Sequence, residues 1–242
     1  MGNYSVLWRI LPPAAVIVAF CLHWLTLKPA RNSAERLVLS RGAYLGMSAQ
    51  LVAYAFIAFA EGYRPAAILG TLGMVASFAG DVLNLQFPAA KDKLEEPLAW
   101  GILAFIVAQL CYIASFLSLV PLVELVERGA FVPVLAVAVV LPALAFRLRV
   151  YSPDRPRKLM LLAFAYGFPL GTMAAVALSA AIALGGAWVS VAAGAVLFLV
   201  SDAAMGETTI AGRHPIWEYQ IPWMTYLCAQ GLILFGASIA AA

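Results

Sequence analysis

About twenty apolar residues in a row let an α-helix cross a hydrocarbon core roughly 30 Å thick, and this chain carries eight such runs. They fall at about 8–27, 42–60, 66–87, 98–119, 131–148, 159–182, 187–206 and 219–240. The breaks between them hold the turn formers and charges: Lys28-Pro29 to Arg41, Glu61 to Pro65, Pro88 to Pro97, Pro121 to Gly129, Arg147 to Lys158, Gly185-Gly186, and Gly206 to Glu218. The runs lack the ten-residue alternation of a membrane barrel, so they read as helices. Charged residues make up 11% of the 242, against about 25% in ordinary globular domains. No soluble domain fits between the runs. The expected fold is all-α: one polytopic domain over residues 1–242 with eight transmembrane helices.

Lysine and arginine set the orientation. Odd-numbered loops hold Lys28, Arg31, Arg36, Arg41, Lys91, Lys93, Arg147, Arg149, Arg155, Arg157, Lys158 and Arg213, whereas the opposite side holds Arg9, Arg64 and Arg128. This bias places the odd loops in the cytoplasm and both termini outside, as in a bacterial inner-membrane protein. The basic loops are anchors of this kind, not nucleic-acid patches. Arg9 before an apolar stretch imitates a signal peptide, but no small-x-small cleavage site follows, and the first run reads as a retained helix.

Two aspartates break the apolar pattern: Asp81, after Leu-Gly-Met-Val-Ala-Ser-Phe-Ala-Gly, and Asp202, after Ala-Val-Leu-Phe-Leu-Val-Ser. An ionisable group within hydrocarbon costs about 2.5–3.5 kcal/mol on insertion scales, so it persists where it has a partner or a task. Counted from Ala66 and Ala187, each lies ~22 Å along a helix running inward, at one depth. They also share a frame. Gly80-Asp81 and Ala108-Gln109 recur as Ser201-Asp202 and Ala229-Gln230, offset by 121 residues. Four helices per half implies a parallel 4+4 repeat about an axis along the membrane normal, and such repeats place sites at their interface.

Helical spacing groups further polar residues. Ser77, Asp81 and Asn84 share one face of the third helix, Gln109 and Tyr112 one face of the fourth, and Tyr219, Tyr226 and Gln230 one face of the eighth; Ser201 adjoins Asp202. The expectation is a single interior cavity bounded by these stripes. Gln, Ser and Tyr in membrane helices commonly serve as interhelical hydrogen bonds worth ~0.6 kcal/mol each. The aspartates are costlier, which favours a working role. Two histidines and no Cys-x-x-Cys exclude a His-rich zinc hydrolase site, and no Gly-x-Ser-x-Gly elbow or Gly-rich nucleotide loop is present. The three cysteines, Cys21, Cys111 and Cys228, lie inside apolar runs and read as small hydrophobes.

Four short motifs occur in order. Gly80-Asp81-Val-Leu, Ala108-Gln109-Leu-Cys-Tyr112, Leu197-Phe198-Leu-Val-Ser201-Asp202 and Tyr226-Leu-Cys-Ala229-Gln230 together resemble the YhhN family from about residue 66 onward. Tyr166 followed by Met173 on the sixth helix fits as well. The resemblance implies eight spans and a lysoplasmalogenase activity, in which the vinyl ether of a lysoplasmalogen is hydrolysed to a fatty aldehyde and glycerophosphoethanolamine or glycerophosphocholine. The family's paired acids carry over to Asp81 and Asp202. The chain departs from the family pattern at Ala203-Ala204-Met205-Gly206 and in a longer segment from Ala30 to Arg41.

The chemistry suits such a pair independently. A vinyl ether hydrolyses by protonation at its β-carbon, which needs a positioned acid that keeps its proton near neutral pH. Burial and a neighbouring carboxylate both favour the neutral carboxyl, and the remaining carboxylate can stabilise the cation and activate water. Gly80 and Phe78 make Asp81 the drier acid, and Ser201 is placed to hold Asp202 ionised. The expected partner is a single-chain ether lysophospholipid drawn from the membrane, with neither metal nor cofactor. Its head group would lie near Lys91, Lys93, Arg213 or His214. Two other readings use the same residues: a proton-coupled carrier, and a non-catalytic lipid-binding scaffold whose acids only pair with Tyr and Gln.

Overall fold

A computed structural model describes residues 4–26, 33–60, 62–85, 96–128, 131–213 and 220–242. Among these residues all regular structure is helical. The helices are α1 (Tyr4–Thr26), α2 (Ser33–Ala58), α3 (Arg64–Asn84), α4 (Pro97–Leu119), a short α5 (Leu122–Glu127), α6 (Phe131–Ala145), α7 (Arg157–Leu184), α8 (Ala187–Met205) and α9 (Gln220–Ala240). Wider π-helical turns, Phe146–Val150 and Gly206–Ile210, continue α6 and α8. They carry these helices past their expected ends.

Punctuation in the chain explains several boundaries. Pro65 and Pro97 sit in the first turn of α3 and α4, where a missing N–H breaks no helical bond. Gly185 and Gly186 take φ of +65° and +55°, values that disfavour any Cβ, and so turn α7 directly into α8. The segment expected as a plain break at Pro121 to Gly129 folds partly as α5.

Among the described residues six helices are long and apolar enough to cross a membrane: α3, α4, α6 with its π turn, α7, α8 with its π turn, and α9. The other two expected spans do form helices, but they differ from the rest. The apolar stretch of α1, Ile10–His23, is shorter. Helix α2 begins at Ser33, nine residues before the expected start, in a polar stretch holding Glu35, Arg36 and Arg41. Among the described residues the outward faces of the long helices carry large apolar side chains; Val132, Leu148, Leu161 and Ile182 are all exposed. Such a surface is stable only against hydrocarbon, and the protein is an integral membrane protein.

The tightest pairings are α3 with α4 and α8 with α9, while α7 touches α4, α6 and α8, and α1 and α2 lean on α9 and α3. Small residues permit the close approach. A Cβ at Gly73 would lie 2.8 Å from the Tyr112 ring, and one at Gly194 would lie 2.7 Å from the Ala229 carbonyl. The two π turns pack on each other, Gly206 against Val150, and are bridged by Arg149 Nη1 to Glu207 Oε1 at 3.0 Å. This ion pair is exposed on the arginine side. Arg149→Ala is expected to lower unfolding stability by no more than about 1 kcal/mol, as a thermal melt in detergent would measure.

Candidate functional site

Asp81 lies near the C-terminal end of α3 and Asp202 near that of α8, and both side chains line one cavity of about 360 Å³. The expected meeting of the two acids on a shared interior space is therefore what the fold produces. Most of the wall is aliphatic or aromatic, supplied by α4, α6, α7, α8 and α9.

Asp81 is 3% exposed. Its Oδ2 accepts two hydrogen bonds, from Ser48 Oγ at 2.5 Å and from Tyr226 OH at 2.8 Å. Gln230 Nε2 donates to Tyr226 OH at 3.4 Å, and Gln230 Oε1 accepts from Tyr112 OH at 2.6 Å. A chain of hydrogen-bonded side chains from α9 and α4 thus ends on this carboxyl. Asp202 is half-buried and accepts from Tyr166 OH. Behind Tyr166 stands Gln109, whose Nε2 donates to the phenol at 3.3 Å. Each aspartate is therefore backed by a Tyr and then a Gln, but the two tyrosines come from different places, α9 for Asp81 and α7 for Asp202.

Aromatic packing fixes one of these phenols. The Tyr226 ring meets Phe105, Phe198 and Trp223 edge-to-face, with centroids 6.1, 5.5 and 5.5 Å away. Trp223 is itself stacked on Tyr44 at 4.7 Å. Rings caged in this way hold the hydroxyl at one angle to Asp81. Gly80 matters for the same reason, because a Cβ there would stand 2.5 Å from the Phe105 ring.

A family model now meets this geometry: that of the YhhN family matches residues 42–237. The chain belongs to the YhhN family. The match begins within α2, further toward the N-terminus than the four motifs reach, and so takes in Ser48 of this YhhN chain as well as both aspartates. No curated protein and no solved structure matches it.

The remaining expected residues divide. Asn84, Tyr166, Ser201 and Tyr226 line the cavity of the YhhN chain with the two acids. Gln109, Tyr112 and Gln230 are buried behind them, hydrogen-bonded to Tyr166, to Gln230 and to Tyr226 respectively. Ser77 is buried on α3, off the cavity wall. Ser201 does not hold Asp202: its hydroxyl donates to the Pro222 carbonyl at 2.9 Å, tying α8 to α9. Arg213 is half-exposed, donates to the Leu148 carbonyl at 3.3 Å and does not line the cavity. Lys91, Lys93, His214 and Tyr219 lie outside the described residues.

Ser48 and Trp223 carry no local signal of a role. Ser48 sits among Met47, Ala49 and Gln50 with nothing in its pattern to mark it, and only the packing of α2 on α3 brings it to Asp81. Among the described residues no three His, Cys, Asp or Glu side chains gather as a metal site would require.

Proposed function

We propose that this protein is a membrane-embedded hydrolase that cleaves the vinyl ether bond of lysoplasmalogen-type lysolipids, with Asp81 and Asp202 as its acid/base pair. The observation that carries the reading is the convergence of two otherwise costly carboxyls on one largely apolar cavity, each oriented by a tyrosine. Family membership supports it from a separate direction. One carboxyl gives its proton to the β-carbon of the vinyl ether, and the positive charge falls on the α-carbon and the ether oxygen. The other carboxylate takes a proton from water as the water oxygen bonds to the α-carbon. The resulting hemiacetal collapses, the C–O bond to glycerol breaks with a proton moving to the leaving oxygen, and a fatty aldehyde departs. These steps need water at the acids and little elsewhere, which suits a polar end in an apolar chamber.

The reading extends to architecture. We place eight spans in the membrane, counting α1 and α2, in two parallel halves with both termini outside. Corresponding crossings support the repeat. Gly73 meets Tyr112, and 121 residues on, Gly194 meets Ile233; Ser115 Oγ reaches the Ala66 carbonyl at 2.9 Å, and 121 residues on, a Cβ at Gly236 would lie 2.6 Å from the Ala187 carbonyl. The symmetry breaks at the tyrosines. Phe105 stands 121 residues before Tyr226 and has no hydroxyl, so Tyr166 from α7 serves Asp202 instead.

Purified protein given vinyl ether and saturated ether lysolipids tests the function: aldehyde from the first and none from the second is expected. No aldehyde, with proton-driven uptake into vesicles instead, would turn the assignment to a carrier. Tyr166→Phe and Tyr226→Phe each remove a donor to a carboxyl, an interaction worth about 1.5–3 kcal/mol. Each is expected to lower kcat about ten- to hundredfold with little change in KM, read from initial rates of aldehyde release.

A further inference from the structure

The cavity has a floor, a ceiling and an open side. The floor is apolar: Ile102, Val150, Ala163 and Ile210 line it and are buried, packed with Met160 into a cluster separate from the main core. Two of these residues, Val150 and Ile210, belong to the π turns, which the Arg149–Glu207 ion pair ties together while Arg213, just past the second turn, bonds the Leu148 carbonyl in the first. The ceiling is the aromatic and aliphatic core around Phe105, Leu170, Trp223 and Tyr226, all buried.

Three lining residues are exposed, one on α6 and two on α8. Leu141 on α6 is 53% exposed; Val196 and Val200, one turn apart on α8, are 41% and 47% exposed. Helix α6 packs on α7 and scarcely touches α8. All three residues lie within segments apolar and long enough to span the bilayer, so this opening faces lipid tails and not water.

The geometry points to lateral loading: a single-tailed amphiphile slides from the bilayer between α6 and α8, its tail against Leu141, Val196 and Val200 and its polar end toward Asp81 and Asp202. The route stands on the walls and the exposure; the nature of the occupant rests on the hydrolase reading above. The chamber, about 360 Å³, falls within the roughly 300–1,000 Å³ usual for small-ligand pockets.

The test uses the full chain in nanodiscs and a lysophosphatidylethanolamine carrying a diazirine midway along an ether-linked saturated tail, which cannot be turned over. After irradiation, adducts are located by mass spectrometry. Adducts on the α6 and α8 segments around Leu141, Val196 and Val200 are expected, and Val200→Trp or Val196→Trp should cut them at least fivefold. Val189→Trp, on the outer face of α8 but away from the cavity wall, should leave them unchanged and controls for folding. With vinyl ether substrate, the two cavity-side Trp variants should raise KM at least fivefold and spare kcat. Adducts concentrated near Val150–Arg155 and Ile210–Arg213 and insensitive to Val200→Trp would overturn the lateral route in favour of loading through the floor. No adduct on the chain would remove the occupant. Adducts at α6 and α8 with no aldehyde from any vinyl ether lysolipid would leave the route standing and remove the hydrolase.

Discussion

Asp81→Asn and Asp202→Asn are each expected to slow aldehyde release by about a thousandfold or more, with the protein still folded. Asparagine keeps the shape and can still accept from Ser48, Tyr226 or Tyr166, but it can neither give a proton to carbon nor take one from water. General acid–base catalysis alone is worth roughly 10²–10⁴. The two losses should be far from additive, since the acid is idle without its base. Stability should move the other way. Asp81 is buried among apolar helices, and removing an ionisable group from such a place relieves an unfavourable burial. Asp81→Asn should therefore melt at or above the wild-type temperature. Single variants that keep more than a tenth of the wild-type rate would end the case for this pair.

Gly171→Ala is expected to be the most damaging single methyl in the bundle. A Cβ at Gly171 would stand 2.1 Å from the carbonyl oxygen of Ala138 on α6. The clash is with backbone, so no side-chain rotation relieves it. The carbonyl is exposed to this contact for a reason: Pro142, four residues on, has no N–H to bond it. Helix α7 supplies a glycine there, and a short distance away Gly167 comes against Pro142 itself. Overpacking costs typically about 1–3 kcal/mol and more where nothing can shift, and the upper end applies. Since α6 and α7 both wall the cavity, substrate KM should rise as the melting temperature falls. Gly46→Ala on α2, where a Cβ meets nothing within 4 Å, should be neutral or add up to about 1 kcal/mol. Equal melts for the two variants would show that α6 and α7 do not pack as described.

Much of the frame is legible in the chain itself. Long apolar runs make helices unavoidable, and their limits match closely where Pro or Gly marks them, as at Pro97, Gly185 and Ala187. They match poorly at α2, where Leu37, Val38 and Leu39 sit inside a helix that begins among charges. The π turns have no local signature, because Phe146–Val150 and Gly206–Ile210 widen the helix where the two segments press together. Asp81 and Asp202 stand out because charge in an apolar run is conspicuous. Their partners do not: Ser201 looks like the natural support for Asp202 by adjacency, yet its hydroxyl turns to Pro222.

Composition and pattern are enough to require a helical membrane protein with two isolated acids at matched positions, because the cost of burying charge and unpaired backbone in hydrocarbon is a property of each segment alone. Which hydroxyl reaches which carboxyl, and which flank of the chamber stays open to lipid, depends on how helices far apart in the chain lie side by side. Those contacts are set by packing of small residues such as Gly73, Gly171 and Gly194 against distant neighbours, and no local stretch of chain carries that information.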